Sequence, residues 1–203
     1  MSHSHPEPLG ESRKLRGLIE KEADASDRDL TLTAPLIEAF TNNGFFHLMV
    51  PEDFGGLECD PGTLLEVFDE LAYADGSVGW TLMANAAATA YVSYLDPGVA
   101  AEMVKGRPES VTAGQFSPFA KVNRKNGGFE VSGHFQFGSG SPHASYVGGA
   151  GFVTDADGTV ETAADCLPLY MCFFVPQSGI KFKFKGNWDV MGLRGTGSFD
   201  YEV

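Results

Sequence analysis

The sequence lacks the features that mark a disulfide-stabilised, zinc-binding or membrane-spanning protein. Only three cysteines occur among 203 residues, and none stands in C-x-x-C spacing with another, so neither a disulfide framework nor a zinc knuckle is indicated. No apolar run approaches the ~20 residues that cross a bilayer. The N-terminal segment MSHSHPEPLG is polar and lacks the apolar stretch of a secretory signal. These absences predict a soluble protein of a reducing compartment, the cytoplasm, without a membrane partner.

The common catalytic sequence motifs are missing as well. The sequence contains no G-x-G-x-x-G after a strand, no G-x-x-x-x-G-K-[ST], no H-E-x-x-H and no G-x-S-x-G. The five histidines are scattered, and no two share i,i+4 spacing on a predicted helix. No metal site is therefore predicted, and metal catalysis and triad hydrolysis have little support.

Positive charge is scarce, and the net charge is unevenly distributed along the chain. Lys and Arg number 14 against 27 Asp and Glu, a net charge of −13, which argues against a nucleic-acid partner because such a partner requires a basic surface. Residues 1–110 hold 19 acidic and 7 basic side chains, whereas residues 111–203 hold 8 and 7. This asymmetry predicts a boundary between a domain of residues 1–109 and a second domain of residues 110–203.

The first of these domains is predicted to be helical. Apolar residues recur at the helical period in a first helix near residues 11–24. A later helix is predicted to begin after a capping Asp60, with Leu64, Leu65, Phe68 and Leu71 on its buried stripe. The next is predicted to begin at Ser77 and is apolar around most of its circumference, which indicates burial on several sides.

In the second domain, apolar residues recur at every second position, which is the period of β-strands. Asn126-Gly127-Gly128 supplies turn positions for a hairpin, and further strands are predicted in ASYVGGAGFV, LYMCFFV, IKFKFK and the final run FDYEV. The predicted fold class is therefore α+β: an N-terminal all-helical domain followed by an antiparallel β-barrel or sandwich.

Three segments of the β half combine small hydroxyl residues with aromatic ones: TAGQFSPFAKV, GHFQFGSGSPHASYV and GNWDVMGLRGTGSFDYEV. The alternation predicts that Phe135, Phe137 and Ser139 lie on the same side of one strand. Aromatic faces beside a hydroxyl and free backbone amides suit a flat heteroaromatic ligand. The alternative is a core strand followed by a glycine-rich turn.

From about residue 33 onward the chain resembles the N-terminal helical and middle β domains of the acyl-CoA dehydrogenase superfamily. The resemblance is carried by GFFHLMVPEDFGG, EVFDELAYADGSVGW, VSGHFQFGSGSPHASYVGGAG and WDVMGLRGTGSFDYEV, in the family's order and spacing. AGQFSPFA and FQFGSGSPHA stand where dehydrogenases show T-E-P and I-T-N segments. They are more similar to the flavin-dependent monooxygenase branch, which typically reads aromatic-x-F-x-S-G-x-x-H-A.

The resemblance implies a flavin cofactor, FAD or FMN, and a set of residues that hold it. Ser139 would hydrogen-bond near the flavin N5 and act in catalysis, and Trp188 would wall the substrate pocket unless it is a core residue under a turn. Arg194 is expected to be structural, and His143 is expected to anchor the turn after the flavin segment. The further residues implied at the flavin are Gln115, Phe116, Ser117, Phe135, Phe137 and Gly138.

Three functions remain open on the sequence. The first is the flavin-binding portion of a monooxygenase that hydroxylates an aromatic or similar apolar small molecule with reduced flavin from a reductase partner. The second is an acyl-CoA dehydrogenase acting on a CoA thioester, and the third is an inactive remnant or binding module. Members of the family continue into a C-terminal helical bundle, whereas this sequence ends at Val203 within a predicted strand. We therefore expect a truncated member that forms a homo-oligomer or depends on the missing domain.

Overall fold

In the computed structural model, which describes residues 7–179, 183–184 and 188–203, five α-helices precede seven β-strands. The helices are α1 Pro8–Asp29, α2 Ala34–Asn42, α3 Pro61–Ala74, α4 Gly76–Ala90 and α5 Pro97–Val104. The strands are β1 Thr112–Lys125, β2 Gly128–Ser132, β3 His134–Gly138, β4 Tyr146–Thr154, β5 Tyr170–Pro176, β6 Lys183–Phe184 and β7 Phe199–Glu202. The predicted α+β order is confirmed, whereas the division into two domains at residue 110 stays a prediction. Most of the predicted strand IKFKFK lies outside the described residues.

Acidic residues cap the two helices that form the centre of the helical part. The Asp60 carboxylate accepts hydrogen bonds from the N–H groups of Gly62 and Thr63, which confirms the predicted start of α3. Asp75 caps α4 in the same way, so the prediction that Ser77 begins this helix is wrong. Such a cap satisfies N–H groups that have no partner within the helix.

The helical core is built from apolar side chains that α1 to α4 and the following turns bury. Leu71 of α3 lies in this core, as predicted, but Leu65 is 71% exposed, so its placement on the buried stripe was wrong. The largest fully buried members are Ile19, Leu36, Phe40, Phe45, Phe46, Leu48, Leu71 and Leu82.

The strands form two sheets, in the orders β2-β1-β4-β5 and β3-β7-β6. The hairpin of β1 and β2 is antiparallel and closes through Lys125 opposite Gly128, as predicted. β1 and β4 pair in parallel, so the predicted antiparallel sheet is mostly, and not entirely, antiparallel. The chain leaves the first sheet after β2, adds β3 to the second sheet, and re-enters beside β1 in the same direction.

Tyr201 of β7 connects the two sheets. Its hydroxyl donates to the carbonyl of Gly148 on β4 at 2.6 Å and accepts from the N–H of Gln115 on β1 at 2.8 Å. Its ring is fully buried and stacks on Phe135 with 5.1 Å between ring centroids. Burial also raises the pKa of the Tyr201 phenol, so it stays protonated and keeps donating.

The described part of the chain contains neither a membrane-spanning helix nor a cluster of metal ligands. No helix there is long and apolar enough to pass through a bilayer. No three His, Cys, Asp or Glu side chains there lie close enough together to hold a metal ion.

Candidate active site

A pocket of about 250 Å³ opens where α4, the end of β3 and the turn before β7 meet. Its walls combine aromatic rings with hydroxyl and amide groups, and four of the residues predicted at the site take part in it. The lining residues are Trp80, Gln115, Phe137, Ser139, Trp188, Leu193, Thr196 and Ser198.

A backbone irregularity in β3 directs the Phe137 side chain towards this pocket. Phe137 has φ of +60°, in the left-handed region, and the pairing of β3 with β7 shifts register between Phe135 and Gly138. Phe137 is therefore 60% exposed, whereas Phe135 is completely buried in the β core. The prediction that Phe135 and Phe137 share one side of the strand is wrong, because the bulge breaks the alternation on which it rested. The Phe135 ring does not face the pocket.

Gly138 lies within the bulge for a packing reason. Its backbone pairs with Phe199, and an added Cβ would lie 2.8 Å from the Tyr201 ring. Only a residue without a side chain fits this approach. Contact of Gly138 with a cofactor stays a prediction.

The Ser139 hydroxyl begins a chain of hydrogen bonds that runs along the wall of the pocket. Its oxygen accepts from the indole N–H of Trp80 at 2.9 Å and lies 2.7 Å from the Ser198 hydroxyl. Ser198 lies 2.7 Å from the Thr196 hydroxyl, which donates to the carbonyl of Leu193 at 2.9 Å. Ser139 is buried, and it is one of the residues that line the pocket.

The backbone amides beside Ser139 are already hydrogen-bonded, contrary to the expectation that they are free. The Ser139 N–H donates to the carbonyl of Phe137 at 2.8 Å, and the Gly140 N–H donates to the carbonyl of Thr196 at 2.8 Å. A ligand at this end of β3 therefore meets the Ser139 side chain rather than these two N–H groups.

Asn85 of α4 holds the turn after β3 in place. Its amide donates to the carbonyls of Thr112 and Ser139, at 3.3 and 3.1 Å, and its oxygen accepts from His143 Nε2–H at 2.9 Å. Gly140 passes so close that an added Cβ would lie 2.2 Å from the Asn85 amide oxygen. The predicted anchoring role of His143 therefore depends on a helix residue that is distant in sequence.

His143 is buried and neutral. Burial lowers its pKa from 6.5 to about 4. Because Nε2 carries the proton donated to Asn85, Nδ1 is left as an acceptor, and it has no hydrogen-bond partner among the described residues.

Of the three residues Gln115, Phe116 and Ser117, one lines the pocket and the other two do not. Gln115 lines the pocket, and its side-chain oxygen accepts a hydrogen bond from the Ser117 N–H at 2.9 Å. The amide NH₂ group of Gln115 therefore points away from this N–H. Phe116 instead stacks on Tyr91, with ring centroids 4.6 Å apart. Neither Phe116 nor Ser117 lines the pocket, and a role for them at a flavin stays a prediction.

Trp188 lies against the pocket and is fixed by the turn below it. Its indole N–H is shared between the carbonyls of Leu193 and Arg194, and its ring meets Phe137 edge-on with centroids 6.2 Å apart. Arg194 is held by Asp27 at 3.2 Å and Asp189 at 2.6 Å, so it is structural as expected. Trp188 thus contacts the pocket and also packs on the turn. A role of Trp188 at a substrate stays a prediction.

Sequence reasoning missed Trp80, Asn85 and Ser198 at this site. Trp80 and Asn85 read as part of an apolar helix, and nothing in that pattern indicates a polar connection to β3. The sequence does carry a signal for Ser198. The tripeptide T-G-S directly follows the G-L-R-G turn in GNWDVMGLRGTGSFDYEV, one of the three segments that combine hydroxyl and aromatic residues.

Known proteins with both sequence and structural similarity are flavin-dependent monooxygenases. The family model described as acyl-CoA dehydrogenase, N-terminal domain, matches residues 13–96. Indole-3-acetate monooxygenase of Pseudomonas putida is 32% identical over 87% of this chain and 43% of its own length. The oxygenase subunit HsaA of Mycobacterium tuberculosis, a flavin-dependent monooxygenase, is 29% identical over 89% of this chain and 43% of its own length.

Solved structures give the same result for the fold. The HsaA monooxygenase from M. tuberculosis superimposes with a TM-score of 0.84 at 28% identity, covering 97% of this chain and 49% of that one. XiaF from a Streptomyces species, solved in complex with FADH2 and glycerol, superimposes with a TM-score of 0.85 at 21% identity, over 97% of this chain and 48% of that one. The chain spans about half the length of the relatives it matches.

A helical part that packs on a curled, mostly antiparallel sheet defines the acyl-CoA dehydrogenase-like fold, and this chain has that fold. Residues 13–96 match the model of the acyl-CoA dehydrogenase N-terminal domain, and the chain is a homologue of the flavin-dependent monooxygenases that share the fold.

Proposed function

We propose that this chain carries the flavin-binding site of a reduced-flavin-dependent monooxygenase, and that the flavin binds in the 250 Å³ pocket beside Ser139. The observation that carries the proposal is the meeting of Gln115, Phe137, Ser139 and Trp188 in one pocket. These residues come from two strands and a turn, far apart in the sequence.

The residues of the pocket fit one edge of an isoalloxazine ring system. Phe137 and Trp188 offer aromatic surface, and their edge-on arrangement leaves the exposed face of Phe137 for a flat ligand. Ser139 and Gln115 supply polar groups that can orient a ligand beside these aromatic rings.

When bound, reduced flavin supplies the two electrons with which one atom of O₂ is inserted into the substrate and the other leaves as water. The contribution of this chain is to hold the reactive edge at Ser139 and to keep water away with Trp80, Phe137 and Trp188. Exclusion of water strengthens each hydrogen bond in the site and suppresses side reactions. Ser139 is the catalytic residue of the proposal.

The proposed substrate is an aromatic or similarly apolar small molecule, because Trp80, Phe137 and Trp188 give the pocket wall three aromatic rings. The proposed partner is a separate flavin reductase. HsaA is named an oxygenase subunit, which supports a division of labour of this kind here.

The test supplies the chain with reduced FMN or FAD from a reductase, together with ¹⁸O₂ and a panel of indoles and phenols. We expect a hydroxylated product that carries one ¹⁸O atom. In Ser139→Ala, hydrogen peroxide released per product formed should rise, because a hydrogen bond at the reactive edge is lost. Ser141→Ala, in the same turn, is the matched control. A flavin reduced on mixing with a CoA thioester would instead support the dehydrogenase, and an unchanged peroxide ratio in Ser139→Ala would remove Ser139 from its role.

A further inference from the structure

A second cavity, of about 320 Å³, lies in the helical part of the molecule. It opens where the C-terminal ends of α2 and α5 meet the turn of residues 52–57, and it shares no lining residue with the pocket beside Ser139. The Lys105 ammonium donates to the carbonyl of Asp53 at 3.2 Å and so ties this turn to the end of α5. Ligand pockets have volumes of about 300–1,000 Å³, so the cavity is large enough for a small molecule.

His47 is the most buried polar side chain in the wall of this cavity, with 4% of its surface exposed. Its Nε2–H donates to the carbonyl of Ser110 at 2.8 Å, so its Nδ1 is an acceptor. Nδ1 has no partner among the described residues, but unlike His143 Nδ1 it is not sealed from solvent. Burial lowers the pKa of His47, so the ring is neutral and Nδ1 keeps its lone pair.

The end of α2 adds a second acceptor and a negative potential. The Asn43 NH₂ group donates to the carbonyl of Ala39 at 2.8 Å, which leaves Asn43 Oδ1 as an acceptor that solvent reaches. In the described chain, neither α2 nor α5 has a basic side chain in its last turn to offset the partial negative charge of a helix C-terminus. The Glu109 carboxylate adds to this potential, since its charge acts on His47. This side of the cavity therefore suits a cation that donates hydrogen bonds.

Arg107 supplies the opposite charge. Five of the six arginines lie in ion pairs, whereas Arg107, which lines the cavity, has none with any residue that the structure describes. Its side chain is exposed, and a guanidinium binds a carboxylate through two parallel hydrogen bonds. Leu57, Val104 and Pro108 add apolar surface to the wall.

We propose that this cavity binds a small free amino acid with an apolar side chain. The carboxylate pairs with Arg107, and the ammonium donates to His47 Nδ1 and Asn43 Oδ1 at the negative end of α2. The apolar side chain contacts Leu57 and Val104. A free amino acid is the ligand class that carries both charged groups on one small molecule. The proposal does not depend on the proposed function.

The test compares leucine with two probes that each lack one of its charged groups. 4-Methylpentanoate keeps the carboxylate, and 3-methylbutylamine keeps the ammonium. We expect each probe to bind at least about tenfold more weakly than leucine, because each loses charge-assisted hydrogen bonds. The chain is labelled with ¹⁵N-glycine, and the assigned amide signals of Gly44, Gly55 and Gly106, which line the cavity, report binding in ¹H–¹⁵N spectra.

Arg107→Gln removes the positive charge at an exposed position, so the fold should be retained. It should weaken leucine and 4-methylpentanoate by about tenfold or more and leave 3-methylbutylamine unchanged, because only the first two carry a carboxylate. Arg28→Gln, at an exposed arginine of α1, is the matched control and should change none of the three affinities.

A preference of about tenfold for leucine over both probes, with a loss of leucine affinity in Arg107→Gln that Arg28→Gln does not share, supports the proposal. It is overturned if leucine shifts none of the three glycine signals up to its solubility limit, or if either probe binds within about tenfold of leucine. A leucine affinity that falls no further in Arg107→Gln than in Arg28→Gln also overturns it. The proposed flavin site stands in each case, since it shares no lining residue with this cavity.

Discussion

Asn85 is the residue on which the polar contacts behind the pocket converge. Removing its side chain would leave two carbonyls, those of Thr112 and Ser139, and the Nε2–H of His143 buried without partners. We expect Asn85→Ala to lower the free energy of unfolding by about 3 kcal/mol, since each buried unsatisfied group costs on the order of 1 kcal/mol or more. Urea denaturation measures this, with Asn42→Ala on the exposed face of α2 as the control. Equal losses in both variants would show that the Asn85 contacts do not matter for stability.

His143 makes stability depend on pH in a definite direction. Its pKa is about 4 in the folded chain, below its ordinary 6.5, because burial disfavours the charged imidazolium. A depressed pKa means that the unfolded chain binds the proton more readily, so the contribution is complete above pH 6.5 and is lost as the pH falls towards 4. The loss over this window should reach about 3 kcal/mol, as measured by urea denaturation at several pH values.

The control for this prediction is His143→Gln, which keeps an N–H donor for Asn85 but does not titrate. Burial also lowers the pKa of His47, so some acid sensitivity should remain in the variant. The difference between the two curves isolates His143. A difference that stays constant between pH 7 and 4 would contradict the assignment.

At the scale of the element, α4 positions the pocket because it carries both Trp80 and Asn85 towards β3. The helix begins under the Asp75 carboxylate, which accepts from the Ser77 and Val78 N–H groups at 2.8 and 3.1 Å. We expect Asp75→Ala to lower the free energy of unfolding by about 1 kcal/mol, the usual loss of an N-cap. Asp69→Ala on the exposed side of α3 is the control, and equal effects by urea denaturation would refute the capping role.

The elements also show how far sequence reasoning extends. The start of α3 was predictable, because Asp60-Pro61 is a local signal and the cap it forms is local. The start of α4 was misplaced because Asp75 and Ser77, which are two positions apart, are both residue types that cap helices. The existence and the type of a helix or strand follow from the period of its apolar residues. The first residue of a helix depends instead on which of several nearby side chains reaches the free N–H groups.

The sheet and the pocket depend on longer-range geometry. Alternation predicted β3 correctly as a strand, but the left-handed Phe137 reverses which side chains face the core, and no periodicity predicts such a bulge. The parallel pairing of β1 with β4 was missed for a similar reason, since strand order is set by packing between distant segments. Ser139 was recognisable from its motif, but its hydroxyl lies within hydrogen-bond distance of the Ser198 hydroxyl, 59 positions away.

At the scale of the whole molecule, an apolar surface surrounds the mouth of the pocket. A second groove of about 380 Å³ runs between α3 and α4, and Trp80 and Leu193 line both cavities. The exposed apolar side chains that line these two cavities, which we call the α3–pocket surface, are Leu65, Trp80, Phe137 and Leu193. A contiguous exposed surface of this kind is characteristic of an interface.

We expect this surface to drive self-association that strengthens with salt. The net charge of −13 repels one copy from another at low ionic strength, and screening removes that repulsion while apolar attraction remains. Sedimentation velocity at about 0.01 M and 1 M salt, where the screening length falls from roughly 30 to 3 Å, should show the shift to larger species. Leu65→Gln should weaken it, because that side chain is 71% exposed within the surface. Val160→Gln, at an exposed apolar residue of a different cavity, should not. A monomer at both salt concentrations, or equal effects of the two variants, would contradict the assignment of the α3–pocket surface as an interface.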